Sequence, residues 1–170
     1  MFRLFKFIHI FKNDLQHISI DKRDDKDVYY CNLIMNYSDY SVNAEFESTG
    51  IKKLIKLYTF LQHMVKGGIV FIDELDSNLH DVYLCALLEY LMKYGDGQLC
   101  FTTHNIGPMD VLRRNKKSID FLSTDGNIYS WTSNGNYSPS KLYRSGMIEG
   151  SPFNIFDFHF IEAFGLDEDN

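Results

Sequence analysis

The chain has 170 residues, 45% hydrophobic and 15% aromatic, which is enough apolar material for one sizeable core and short for two, so a single globular domain is expected. Its 17 basic and 23 acidic residues give a formal charge of −6, which argues against a nucleic-acid or membrane-surface footprint for the chain as a whole; only a local basic patch stays open. Part of the acid sits in the terminal GLDEDN, read as a solvated tail.

The opening MFRLFKFIHIFKNDLQ is interrupted by Lys6 and His9 and lacks a small-residue cleavage site, so it does not read as a signal peptide. Leu4, Ile8, Phe11 and Leu15 recur instead at helical spacing. HISI and DVYYCNLIMNY, separated by the charged DKRDDKD, read as strands, and SVNAEFE alternates as a further strand ending at Glu47. This predicts a small antiparallel β region. From Ser48 the period changes, and Leu54, Leu57, Tyr58, Leu61, Met64 and Val65 mark one face of a helix that stops at Gly67-Gly68.

IVFID is a continuous apolar run of the kind found in strands covered on both faces. Leu79, Val82, Tyr83, Ala86, Leu87, Tyr90 and Leu91 predict the next helix by their spacing. QLCFTTH reads as a second buried strand, and NIGPMDVLRRN as a short helix with Pro108 in its first turn. SIDFLSTDGNIYSWTS carries a hairpin signal around Asp125-Gly126-Asn127. SPSKLYR reads as a short helix, followed by an irregular closing segment. The alternation predicts an α/β fold, a mostly parallel sheet flanked by helices with an N-terminal antiparallel β region. No run approaches the ~18 apolar residues that span a bilayer, and Cys31, Cys85 and Cys100 form no CxxC pair, so they read as buried thiols of a cytoplasmic protein without a membrane partner.

The acidic end of GGIVFIDELDSNLH is the chemically informative stretch. Asp73, Glu74 and Asp76 fall within four positions, and burying carboxylates without a cation or donor costs several kcal/mol or more, so the three together mark a hydrated or metal-facing place. In open parallel sheets ligands bind beyond the carboxyl ends of the strands. Asp73 and Glu74 lie at one such end and His104, after CFTT, at another. A carboxylate on Mg²⁺, a second to polarise water and a histidine near a terminal phosphate are parts that phosphoryl transfer needs.

These residues resemble those of AAA-family P-loop ATPases related to the ABC, OLD and RecF groups. IVFIDE is similar to a Walker B strand, LDSNLH to the D-loop, FTTHN to the switch-histidine strand, and ESTGIKKLIKL to the signature segment, in the family's order over about residues 40 to 125. The resemblance implies Asp73 on Mg²⁺, Glu74 as catalytic base, His104 as switch histidine, Asp76 in the D-loop, and Ser48 and Gly50 capping the γ-phosphate of ATP held by an opposite subunit. It therefore implies a homodimer or a P-loop-bearing partner segment. Ile51 departs from the small polar residue expected after the signature glycine. No G-x-x-x-x-G-K-[ST] phosphate cradle occurs in the 170 residues, so the chain resembles the C-terminal part of such an ATPase, inactive alone, whether a truncated reading frame, an excised portion or one piece of a split protein.

Blander readings stand beside these. Ser48 also fits a helix N-cap, His80 a helix-start residue, and Lys52, Lys53 and Lys56 one solvated helix face. Trp131 and the FNIFDFHF aromatics read as core, and Cys100 as packing. Two other functions are compatible with the residues. One is a non-catalytic remnant or interaction module docking to a P-loop partner; the other is a metal-dependent phosphoesterase using Asp73, Glu74, Asp76 and His104 directly. Nucleic acid is a possible partner that no residue pattern indicates.

Overall fold

A computed structural model describes residues 1–25, 28–115, 117–123, 126–131 and 137–148. The chain forms two compact units, Met1–Asn105 and Ile106–Asn170. In the first, helix α1 (Phe2–Phe11) buries Leu4 and Ile8, and its chain then turns so that Leu15 is wholly buried. His9 fixes that turn by donating from Nδ1 to the Leu15 carbonyl at 2.9 Å. Strands β1 (His17–Asp25) and β2 (Val28–Asn36) pair antiparallel along their whole length, and β3 (Ser41–Asn43) adds to the end of β2. Ile18 and Met35 lie opposite each other in this register, and both join Leu4, Ile8, Leu15, Tyr37, Ile51 and Leu54 in one core.

The third strand is shorter than its alternation predicts. The Asn43 side chain accepts a hydrogen bond from the Glu45 N–H at 3.0 Å and turns Ala44–Phe46 into a 3₁₀ turn; a local side-chain bond of this kind competes with the sheet ladder. Ser48 then caps helix α2 (Thr49–Val65), accepting from the Ile51 N–H at 3.4 Å. The buried face of α2 is Ile51, Leu54, Leu57, Leu61 and Met64; of the expected stripe Tyr58 and Val65 are only half-buried, and Ile51 is added at its head. Gly67, at φ +96°, supplies the left-handed backbone that ends it.

Strands β4 (Ile69–Ile72) and β5 (Gln98–Phe101) pair in parallel, Val70 beside Leu99, across helix α3 (Asp81–Tyr94). Two expectations change here. The mostly parallel sheet is, among the described residues, this two-stranded pair accompanied by antiparallel strands. And β4 is covered on one side only: Val70 is buried, whereas Ile69 is 61% and Phe71 78% exposed. Helix α3 differs as well. It buries Leu91 of the expected face together with Leu84 and Leu88, while Val82, Tyr83 and Tyr90 of that face are exposed. The sequence of α3 is apolar around most of its circumference, so spacing offers two stripes and packing selects one.

The second unit contains α4 (Gly107–Val111) with Pro108 in its first turn, a short antiparallel pair β6 (Asp120–Leu122) and β7 (Ile128–Ser130), and α5 (Pro139–Arg144) capped by Ser138. Ile119, Phe121, Trp131 and Leu142 form its core, as read for Trp131. The hairpin signal is realised, with Gly126 at φ +82°; Asp125 and the closing segment from residue 149, including FNIFDFHF, lie outside the described residues. Cys31 is exposed rather than buried, and Cys85 and Cys100 are half-buried. Among the described residues no helix is long and apolar enough to cross a membrane.

Candidate functional site

Parallel pairing sets the ends of β4 and β5 side by side, and Thr102 joins them. Its N–H donates to the Ile72 carbonyl at 3.1 Å and its carbonyl accepts from Leu75 N–H at 3.0 Å. Its hydroxyl donates to Asp73 Oδ1 and accepts from the Glu74 N–H at 2.8 Å. Four bonds from one residue thus fix the turn in which Asp73 and Glu74, both exposed, leave the strand. Leu75, wholly buried, anchors the turn from below. Glu74 itself adopts φ +46°, a left-handed backbone that costs an L-residue about 1–2 kcal/mol. The Thr102 and Leu75 bonds offset that cost.

Thr102 was not among the residues picked from the sequence. TTH after an apolar strand is the available signal, but a threonine names no partner until the neighbouring strand is known.

The chain after Glu74 forms a tight turn, Ser77 N–H donating to Glu74 carbonyl at 3.0 Å and Leu79 N–H to Asp76 carbonyl at 2.9 Å. The start of α2 packs directly on this turn. Thr49 Oγ1 donates to Asn78 Oδ1 at 3.2 Å, and a Cβ at Gly50 would stand 2.9 Å from the Asn78 carbonyl, so only glycine admits this approach. Asn78 is left-handed too, at φ +59°, a conformation that asparagine tolerates better than most residues. Lys53, one turn along α2, donates to the Glu74 carbonyl and to Ser77 Oγ. Lys53 is therefore not simply part of a solvated face. Burial holds its pKa below the ordinary 10.5, opposed by the charges of Asp76 and Glu74.

Ser48, Gly50, Asn78 and His80 line one cleft of about 300 Å³. His80 caps α3, Nδ1 accepting from the Val82 N–H at 3.4 Å, which is the bland reading given to it. Asp76 Oδ1 is buried, with no hydrogen-bond partner among the described residues. His104 lies exposed on the loop after β5, where the Asn105 N–H donates to Thr103 Oγ1 at 2.9 Å. The structure thus brings Asp73 and Glu74 together with Thr102, and Ser48 and Gly50 together with the loop that carries Asp76; no hydrogen bond within the described residues ties His104 to the carboxylates.

Residues 9–110 match the family described as AAA domain, putative AbiEii toxin, Type IV TA system. The chain belongs to this family. The match runs from within α1 to within α4 and so includes the whole of the site just described. Among curated proteins, none matches the chain. An AAA domain is a nucleotide-binding, ATPase-like domain of the P-loop class, and such domains generally use ATP with Mg²⁺.

The residues of this AAA domain fit that ion. Among the described residues no three His, Cys, Asp or Glu side chains group as a metal cage, but Mg²⁺ keeps several waters and takes only one or two carboxylates plus phosphate oxygens. Asp73, held through Oδ1 by Thr102 and otherwise open to solvent, is a donor of this kind.

Proposed function

We propose that this AAA domain supplies Mg²⁺ coordination and water activation to a composite ATP-hydrolysing site whose phosphate cradle comes from a P-loop-bearing segment, in this polypeptide's wider context or in a partner. The observation that carries the reading is the Thr102 junction, which presents Asp73 and Glu74 in fixed relation at the paired carboxyl ends of two parallel strands. Bound Mg²⁺ supplies neutralisation of the charge that develops on the transferring phosphoryl group. Asp73 holds the ion, its orientation set by the Thr102 hydroxyl. Glu74 accepts the proton of the attacking water, its backbone pinned by Leu75 and Thr102. His104, on the adjoining strand end, donates to the terminal phosphate.

Ser48 and Gly50 address the nucleotide of a second subunit from the start of α2, where unpaired N–H groups suit an anion. Asp76, in the loop against which Gly50 packs, couples the two faces. The exposed Ile69 and Phe71 support the presence of a further layer beyond these residues, because apolar strands of a parallel sheet are ordinarily covered on both sides. A domain that consumes ATP in this way belongs in the cytoplasm.

The test is reconstitution with a segment bearing the P-loop. Mg²⁺-dependent ATPase activity should appear, and Glu74→Gln should abolish hydrolysis while leaving ATP bound. Equal turnover with glutamine at 74 would sink the assignment of the base. The same exposed apolar residues favour a second reading, an interaction module that docks on a P-loop partner without chemistry of its own; it requires partner binding that survives Asp73→Ala and Glu74→Gln with the ATPase rate of the complex unchanged.

A further inference from the structure

The antiparallel sheet has an unguarded edge. β1 and β2 pair from His17↔Asn36 out to Asp25↔Val28, but β3 covers the second edge of β2 only at Ile34, Met35 and Asn36. From Val28 to Leu33 the hairpin continues as two strands alone among the described residues, and a two-stranded hairpin is marginal in water. Its apolar side chains are in solvent: Tyr29 is 82% exposed, and Val28, Tyr30, Cys31 and Ile20 are exposed with it.

The two edges of this arm differ in chemistry. β1 carries Asp21, Lys22, Arg23 and Asp24 in succession, with Arg23 Nε 3.2 Å from Asp21 Oδ2, and charges of this sort are what guard an outer strand from pairing. The free stretch of β2, VYYCNL, has no charge, no proline and no glycine, so none of the usual guards is present. Nucleic acid does not suit the arm, because residues 21–27 hold four acids against three bases.

We infer that this edge of β2 pairs with the same edge of a second copy of the chain, antiparallel about a two-fold axis, to give one continuous sheet in the order β1-β2-β2-β1. A two-fold normal to the sheet sets a residue against its own copy, because opposed side chains share a face; with the axis at Cys31, Cys31 faces Cys31 of the other copy, Tyr30 faces Asn32 and Tyr29 faces Leu33. An isologous contact of this kind needs one uncharged, self-complementary patch, and the stretch is uncharged throughout. The two charged β1 strands end up three strand spacings apart, about 14 Å, beyond a Debye length of about 8–10 Å, so they do not repel appreciably. The shared edge is short, about 17 Å for its five residues, so the dimer is reversible rather than obligate.

The contact owes nothing to nucleotide, and its test is run without any. Sedimentation of the full chain over a concentration series should show a monomer–dimer equilibrium. Tyr29→Lys with Tyr30→Lys, both exposed positions, sets like charges across the axis and should weaken dimerisation by about tenfold or more, with the circular-dichroism spectrum unchanged. In a Cys85→Ser, Cys100→Ser background, mild oxidation should form disulfide-linked dimers through Cys31 of the two copies, and moving the thiol one residue out of register, with Cys31→Ser and Tyr30→Cys, should abolish them. A chain that stays monomeric at every concentration, or a dimer that tolerates both lysines unchanged, overturns the inference.

Discussion

In the N-terminal part of the molecule, α1 and α2 pack on the three-stranded sheet and Ile8, Leu15 and Met35 are wholly buried. In the β4–β5 pair, strands of comparable apolarity leave Ile69 and Phe71 in solvent and bury Val70 alone of the first three residues of β4. The contrast separates two meanings of a hydrophobic run. An antiparallel sheet is complete with one face packed, whereas a strand written for a parallel sheet calls for a layer on each side. Hydrophobic pattern records how much cover a strand needs, and it is silent on which residues supply that cover.

The sharpest way to break this comparison is to truncate one residue from each region. Met35→Ala should lower the free energy of unfolding by about 2–5 kcal/mol, the usual cost of emptying a packed site. Phe71→Ala should stay within about 0.5 kcal/mol, as surface changes do. Chemical denaturation of the two variants measures the difference directly, and equal losses would mean that β4 is covered after all. Next in size is Gly50→Ala. The new methyl meets the Asn78 carbonyl at 2.9 Å, so a loss of about 1–3 kcal/mol is expected from overpacking, with faster proteolysis of the D-loop as an independent sign.

Smaller effects of about 1 kcal/mol each are expected from Ser48→Ala, which removes the α2 cap, and from Thr102→Val, which removes the hydroxyl shared by Asp73 and the Glu74 N–H. If Ser48→Ala left stability unchanged, the serine would have to be explained by nucleotide contact alone. The least effect is a pH dependence in the N-terminal core. Burial, and then the hydrogen bond to Glu47, raise the Tyr37 phenol above its ordinary 10.0. The unfolded phenol ionises near pH 10 while the folded one stays protonated, so its contribution is intact below pH 10 and is lost as pH rises above it. Denaturation midpoints from pH 9 upwards should fall less steeply for Tyr37→Phe than for the parent chain; parallel slopes would dismiss the contribution.

Much of this was legible beforehand where neighbours in the chain decide the outcome. The stripe Leu54, Leu57, Leu61 and Met64 on α2, the stop at Gly67, Pro108 in the first turn of α4 and the hairpin around Gly126 are all local features, and each stands in the structure. The strand through SVNAEFE stops at Asn43 for a reason just as local, since Asn43 caps a 3₁₀ turn. The α3 face failed for a different one. Two apolar stripes fit the same helix, and only the packed molecule distinguishes Leu84–Leu88–Leu91 from Val82–Tyr83–Tyr90.

By itself the sequence determined the order of helices and strands, the acidic strand end at Asp73 and Glu74, and the succession of motifs that the AAA family match now covers. Those rest on side-chain periodicity, capping chemistry and residue type, all of which act over a few residues. Tertiary structure alone decided that Thr102 holds Asp73 and Glu74, that Gly50 makes room for Asn78, that Lys53 reaches the turn after β4, and that, among the described residues, β3 covers β2 only at its end. Each of the three contacts joins residues 20 or more positions apart, and which groups meet over such a distance is fixed only when helices and strands pack together.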